Sequence, residues 1–118
     1  MEIKETCQPY LSLKSNAVLL SLYTRNANKL GVNFDPTVPR IGGSTDAGNV
    51  SQVRPTIQPK MAITADGNPH TEAFATASCQ PENQGPTIIA GKTLAFCGID
   101  ILYDPTLSKN AMTDFMNS

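Results

Sequence analysis

Clustered positive charge is missing from this sequence. Nine Lys and Arg residues face ten Asp and Glu residues, which gives a formal net charge of −1, and no basic patch stands out along the chain. Recognition of a phosphate backbone requires concentrated Lys and Arg, so we expect no nucleic-acid partner. Long apolar runs are missing as well, and each run is only a few residues long, far shorter than a bilayer-spanning helix requires. We therefore expect no membrane partner either.

The sequence also lacks the marks of secretion. Residues 1–6 contain two acidic side chains and no apolar core of a signal peptide. The cysteines are three in number and widely spaced, at Cys7, Cys79 and Cys97. An odd, scattered set does not predict a disulfide framework, so we expect reduced thiols in a cytoplasmic protein, with Cys79 and Cys97 buried.

The length of 118 residues fits one domain or part of one, and 40% hydrophobic with 16% charged residues is a globular composition. One helix is well supported near the beginning. Ser15 or Asn16 can cap it, and Gly31 can end it in a left-handed conformation. Its apolar residues recur at three- and four-residue steps, as one buried face requires. They are Val18, Leu19, Leu22, Tyr23, Ala27 and Leu30.

The remaining pattern predicts strands and two further helices. Residues 2–8, 53–57 and 61–65 are interpreted as short strands, the last because apolar and small residues alternate. Pro86 can open a second helix, and Asp104 followed by Pro105 can open a last one that runs to about Met116. Together, the predicted helices and strands indicate an α/β fold in which helices flank a sheet.

Few residues could carry chemistry. His70 is the single histidine, and imidazole is a common metal ligand and acid–base group, although a lone histidine is more often a surface or hydrogen-bonding residue. A self-contained metal site needs three or four ligands, which these residues cannot build. A Ser44–His70–Asp46 triad is formally available, but Ser44 lies in no Gly-x-Ser-x-Gly elbow.

Residues 42–51 form a second candidate, a loop rich in glycine, hydroxyl, carboxylate and amide groups. Loops of this kind often carry function because a rigid scaffold aims them. The structural alternative is a helix entry in which Ser44, Thr45 or Asp46 bonds the first amides. The loop lacks the Gly-Lys-Ser/Thr end of a phosphate-binding loop.

These motifs, taken in order, resemble a known family. The resemblance rests on GSTDAGNVS at 43–51, VRPTIQ at 53–58 and PHTEAF at 69–74, with support from residues 15–17 and 90–95. Together they are similar to the zinc-dependent aminoacylase/carboxypeptidase metallopeptidases. The most similar branch is that of the amidohydrolases, which includes aminobenzoyl-glutamate hydrolases and cytosolic Xaa-Arg (β-alanyl-lysine) dipeptidases.

The resemblance implies a role for the whole chain. Family members have a catalytic domain interrupted by a lid and dimerisation domain, and residues 1–118 resemble the carboxyl-terminal catalytic segment that follows the lid. His70 is then expected to bind one ion of a divalent metal pair, zinc or alternatively manganese. Asp46 and Asn49 are expected to shape the binding site for a small peptide or N-acyl amino acid. Homo-oligomerisation is expected only through the absent domain.

The resemblance also implies what is missing. The family's other metal ligands and its general-base glutamate come from the segment before the lid, and none of the acidic residues Glu2, Glu5, Glu72 and Glu82 matches those motifs. The chain is therefore expected to be a fragment of a metal-dependent amidohydrolase or dipeptidase, incomplete and inactive alone. Two alternatives remain open: a non-catalytic half-domain that binds a full-length homologue, and an unrelated small α/β binding module.

Overall fold

The secondary structure is helical throughout the part of the chain that can be described. The computed structural model describes residue 4 and residues 7–34, 43–64 and 67–118. Within these ranges the elements, in order, are α1 (Ala17–Lys29), α2 (Ala47–Ser51), α3 (Glu72–Ser78), α4 (Pro81–Tyr103) and α5 (Pro105–Asn117).

The first helix has the start and stop that its sequence predicts. Asn16 is its N-cap, and the Asn16 side chain accepts a hydrogen bond from the Leu19 amide at 3.0 Å. A carboxylate distant in sequence also supports this helix start, because Asp114 Oδ2 accepts from the Ala17 amide at 2.8 Å. At the other end Gly31 has a φ of +82°, the left-handed conformation that glycine adopts without steric cost. Both predicted boundaries of α1 are confirmed.

The long helix α4 starts earlier than predicted. It begins at Pro81 rather than Pro86, so that Pro86 lies inside the helix. Proline at the first helical position costs no hydrogen bond, and the bond that Pro86 cannot donate would reach Glu82, still within the first turn. The last helix follows the prediction: Asp104 Oδ1 accepts from the Thr106 amide at 2.9 Å, and α5 begins at Pro105.

Three of the helices, α1, α4 and α5, pack against one another. Leu22, Tyr23 and Ala27 from α1 meet Cys97 from α4 in a small core. Partly buried side chains surround it, namely Val32, Ile57, Ile101 and Leu107. The prediction of a buried thiol is confirmed for Cys97 and wrong for Cys79, which is exposed.

The predicted α/β fold is wrong for the described residues, which include no strand and no sheet. Residues 53–57 and 61–64 are without regular structure, because no second extended segment pairs with them. Their backbone groups bond instead to helix ends: the Asn16 amide donates to Thr56 O at 2.9 Å, and Thr64 bonds to the side chain of Asn83. Of the strand predicted at 2–8, residues 2, 3, 5 and 6 lie outside the described part, as does residue 65 of the strand predicted at 61–65.

One face of α4 is apolar and uncovered. Five large apolar residues are exposed on the side of this helix that faces away from Cys97, which we call the outer face of α4: Ile88, Phe96, Ile99, Leu102 and Tyr103. By length and composition alone, α4 could cross a membrane, and only 11% of its most apolar stretch is buried inside the chain. The sequence shows only short apolar runs here, because glycine, lysine and threonine interrupt the apolar residues of this helix. A helix with this much uncovered apolar surface is typical of the interior of a larger protein or of a membrane span.

Candidate functional site

His70 lies on an exposed turn that leads directly into α3. Its backbone has a φ of +70°, which histidine adopts more readily than most residues with a side chain. The next residue, Thr71, caps α3: its hydroxyl accepts from the Phe74 amide at 3.2 Å and donates to Asn68 O at 2.7 Å. His70 therefore lies on the surface, on the turn directly before α3, and its side chain is exposed.

The turn is tightly built on its inner side. A Cβ added at Gly67 would lie 2.8 Å from Ala73 Cβ and 2.9 Å from Thr71 Oγ1. Both distances are shorter than carbon and oxygen atoms tolerate, so glycine is needed for this close approach. We call residues 67–71 the His70 turn.

One side chain that the sequence analysis missed joins the two flanks of this turn. Asn83, in the first turn of α4, is 2% exposed. Its Oδ1 accepts from the Thr64 amide at 2.8 Å, and its Nδ2 donates to Thr64 O at 2.9 Å and to Ala77 O at 2.7 Å. Thr64 precedes the His70 turn and Ala77 follows it.

The second motif serves mainly to hold the chain's own backbone. Asn49 Oδ1 accepts from the Leu11 amide at 3.0 Å, and its Nδ2 donates to Pro9 O at 3.0 Å. Ser51 Oγ accepts from the Lys14 amide at 2.9 Å, and Gln52 Nε2 donates to Ser12 O at 2.7 Å. These bonds fasten residues 9–14 along α2, so the Asn49 amide that was predicted to bind substrate is already engaged.

Gly48 is required by this same contact. A Cβ at Gly48 would fall 1.8 Å from Leu11 O, which lies across the contact with residues 9–14. The capping alternative for this loop is fulfilled by Thr45, whose hydroxyl accepts from the Ala47 amide at 3.3 Å. Asp46 occupies the N-cap position, but its side chain makes no capping bond and is exposed.

The candidate residues do not form one site by themselves. In the described ranges, no hydrogen bond or ion pair connects Asp46 or Asn49 with the His70 turn, and no group of three or more His, Cys, Asp and Glu residues could hold a metal ion. A single imidazole fits the contribution of one ligand and does not fit a complete zinc centre. The surface depressions along α1 are open, and no residue of either motif lines them.

The perturbed titratable groups lie elsewhere, between α1 and α4. Burial raises the pKa of the Cys97 thiol. The hydrogen bond from Asn26 Nδ2, 2.8 Å long, lowers the pKa of Asp100, and the Arg25 guanidinium at 3.2 Å lowers it further. Because Asn26 also reaches Cys97 Sγ at 3.6 Å, this cluster ties the two helices together and has a structural role.

Comparison with known proteins gives one clear similarity. No protein-family model matches the chain. The chain is 34% identical over 118 residues to the Xaa-Arg dipeptidase of Mus musculus and 35% identical to the Xaa-Arg dipeptidase of Homo sapiens. In each case the match covers 98% of this chain and 27% of the dipeptidase. The chain spans about a quarter of the length of these relatives, and the similarity supports a relationship to dipeptidases.

Proposed function

We propose that this chain is one segment of a metal-dependent dipeptidase or related amidohydrolase, inactive alone, and that it contributes one metal ligand, His70. The observation that carries the proposal is the extent of the similarity: it runs through nearly the whole chain while covering only a quarter of each relative. A segment of that kind should have surfaces made for the rest of the protein.

The distribution of apolar side chains supports this. Among the described residues the buried hydrophobic side chains are Leu22, Tyr23, Ala27, Cys97 and Ala111. Exposed large hydrophobic residues are three times as numerous, and those on the outer face of α4 form the longest series. Exposed apolar area of this extent marks a contact surface. We assign the outer face of α4 to packing against the remaining polypeptide of the enzyme.

The position of His70 supports the ligand role. Its side chain is exposed on a turn fixed by Thr71 and Asn83, so it can meet donors from other polypeptide without rearrangement of its own backbone. A bound divalent ion would activate water and stabilise the oxyanion during amide hydrolysis. The further ligands and the general base are assigned to the rest of the enzyme.

A segment exchange tests this role. The stretch of mouse Xaa-Arg dipeptidase that matches this chain is replaced by residues 1–118, and zinc content and dipeptide hydrolysis are measured together. We expect an active, metal-loaded protein. His70→Ala should lower turnover by orders of magnitude and remove or displace one ion, because activation of water and stabilisation of the oxyanion both depend on that ion.

Asn68→Ala is the matched control, since Asn68 is an exposed residue of the same turn whose side chain is not used in the bonds described above. It should retain full metal content and turnover. Unchanged metal content and near-normal turnover in His70→Ala would contradict the ligand role.

One observation favours a second candidate, a non-catalytic half-domain that binds a full-length homologue. The outer face of α4 offers a docking surface, and the described residues supply one potential ligand rather than a site. In that case the exchanged dipeptidase would fold without hydrolytic activity, whereas the free 118-residue chain would bind the intact mouse enzyme.

A further inference from the structure

The side chain of Asn83 connects two segments of the chain by hydrogen bonds to their backbone. All three of its side-chain bonds go to backbone atoms on the two flanks of the His70 turn, two to Thr64 and one to Ala77. The pair of bonds with Thr64 imitates the exchange of N–H and C=O bonds between neighbouring strands. Ala77 O, near the end of α3, accepts both from Asn83 Nδ2 at 2.7 Å and from the Gln80 amide at 3.0 Å.

The neighbouring helix cannot hold the turn by burial. α3 has no buried residue, and it does not pack against the three-helix core. The bond from Asn83 to Ala77 O connects α3 to the first turn of α4, together with the Gln80 amide and side chain, which donate to Ala77 O and Thr76 O. Loss of the Asn83 side chain removes the partner that it supplies to both the amide and the carbonyl of Thr64, and a buried polar group left without a partner is costly.

The turn itself passes this restraint on to the imidazole. Thr71 bonds to Asn68 O and to the Phe74 amide, and Gly67 is packed against Thr71 and Ala73 without space for a side chain. Between His70 and Ala77 the chain consists of the Thr71 cap and helix α3, so the bond from Asn83 to Ala77 O restrains the segment that follows His70. The left-handed backbone of His70 is a sparsely populated conformation that needs such support.

We infer that Asn83 is the positioning residue for His70: it holds the ends of the turn so that the imidazole is presented in one orientation to the metal ion. This inference rests on the proposed function for its last step, the ion, whereas the restraint on the turn stands independently. Asn83 is too deeply buried to touch substrate or metal itself.

The test compares two buried asparagines. Asn83→Ala and Asn26→Ala each remove an almost fully buried amide, but Asn26 lies in the contact between α1 and α4. Amide hydrogen exchange of the 118-residue chain is followed by NMR at Thr64, at Phe74 and in the His70 turn. We expect Asn83→Ala to accelerate exchange there at least tenfold, and Asn26→Ala to act instead on the α1 amides around Leu22.

A second variant distinguishes the local loss of these hydrogen bonds from unfolding of the whole chain. Asn83→Asp keeps the acceptor for the Thr64 amide and loses both bonds that Nδ2 donates, to Thr64 O and to Ala77 O. Since Thr64 retains one of its two bonds and Ala77 loses its only bond to residue 83, the variant should loosen the Phe74 end of the turn more than the Thr64 end. Equal exchange at both ends in this variant, or an unaltered turn in Asn83→Ala, overturns the positioning role.

The metal step is read separately in the exchanged mouse dipeptidase. Asn83→Ala should weaken zinc binding at least tenfold, and Asn26→Ala should not. If His70→Ala leaves zinc content unchanged, the proposed function fails while the exchange data still decide the restraint. If His70→Ala removes zinc but Asn83→Ala leaves its affinity intact, the positioning inference fails alone.

Discussion

Two regions of this chain are held together by different forces. The unit of α1, α4 and α5 is joined by apolar contact around Leu22 and Cys97. The motif regions, residues 43–53 and 67–80, are joined to their surroundings by side-chain amides and hydroxyls that bond to backbone, above all those of Asn49, Ser51 and Asn83.

The difference separates fold from function. Apolar contacts tolerate exchanges of similar volume, whereas a bond from a side-chain amide to a backbone group demands one residue type in one geometry. Among the residues that carry the resemblance, Asn49, Ser51 and Thr71 are of the second kind. These residues shape the loops, whereas the side chains of Asp46 and His70, from the same motifs, are exposed.

The largest effect should come from the apolar core. Leu22 is 3% exposed, whereas Leu20 on the same helix is 44% exposed. Leu22→Ala should lower the free energy of unfolding by about 2–5 kcal/mol through lost burial and the cavity it leaves. Leu20→Ala should change it by about 0.5 kcal/mol or less. Urea denaturation followed by circular dichroism measures both, and equal effects would show that α1 is not packed as described.

The contact between residues 9–14 and α2 should respond to a single added methyl group. Gly48→Ala would place a carbon against Leu11 O, so we expect a loss of about 1–3 kcal/mol from overpacking and release of residues 9–14. Gly91→Ala is the control, because open space surrounds Gly91 and alanine in a helix interior is better by about 0.5–1 kcal/mol. If Gly48→Ala lowers the free energy of unfolding no more than its control does, residues 9–14 do not pack against α2 in solution.

The ion cluster between α1 and α4 should make stability depend on pH in the acid range. Because the hydrogen bond from Asn26 and the charge of Arg25 lower the pKa of Asp100, its carboxylate stabilises the fold above the unfolded value of 3.8. That contribution is lost as the pH falls below about 4 through the lower pKa of the folded state. Asp100→Asn should flatten the acid limb of the stability curve, and Arg25→Gln should flatten it less. An unaltered limb in Asp100→Asn would contradict the assignment.

The smallest predicted difference concerns thiol chemistry. Cys97 is buried and burial raises its pKa, while Cys7 and Cys79 are exposed. A neutral thiol-specific reagent should therefore modify two cysteines rapidly and the third only as fast as the core opens. Mass spectrometry of the labelled peptides identifies the slow site. Rapid labelling at Cys97 would mean that the contact between α1 and α4 opens readily.

Local signals account for the parts of the fold that the sequence could predict. Asn16 and Gly31 bound α1, and Asp104 with Pro105 opens α5, because caps act on the nearest amides and need no distant partner. The prediction of strands was wrong for the opposite reason. Extended segments become strands only when another segment pairs with them, whereas residues 53–64 bond to helix ends instead.

The candidate site was only partly predictable for a similar reason. His70 stands out by residue type, but the roles of Asn49 and Asn83 depend on backbone that lies far away in sequence. Placing the start of α4 at Pro81 would have put Asn83 in its first turn, where a short polar side chain commonly bonds to backbone. No comparable signal identifies Thr64 as its partner.

The central claim, that the chain is one segment of a larger enzyme, is tested most directly by assembly in trans. The 118-residue chain is co-expressed with mouse Xaa-Arg dipeptidase from which the matching stretch has been deleted, and the purified material is analysed by size-exclusion chromatography. We expect a one-to-one complex that the double substitution Ile99→Lys and Leu102→Lys on the outer face of α4 abolishes, while Leu20→Lys on α1 does not. A chain that remains monomeric and unbound, or that partitions into lipid vesicles through α4 instead, would contradict it.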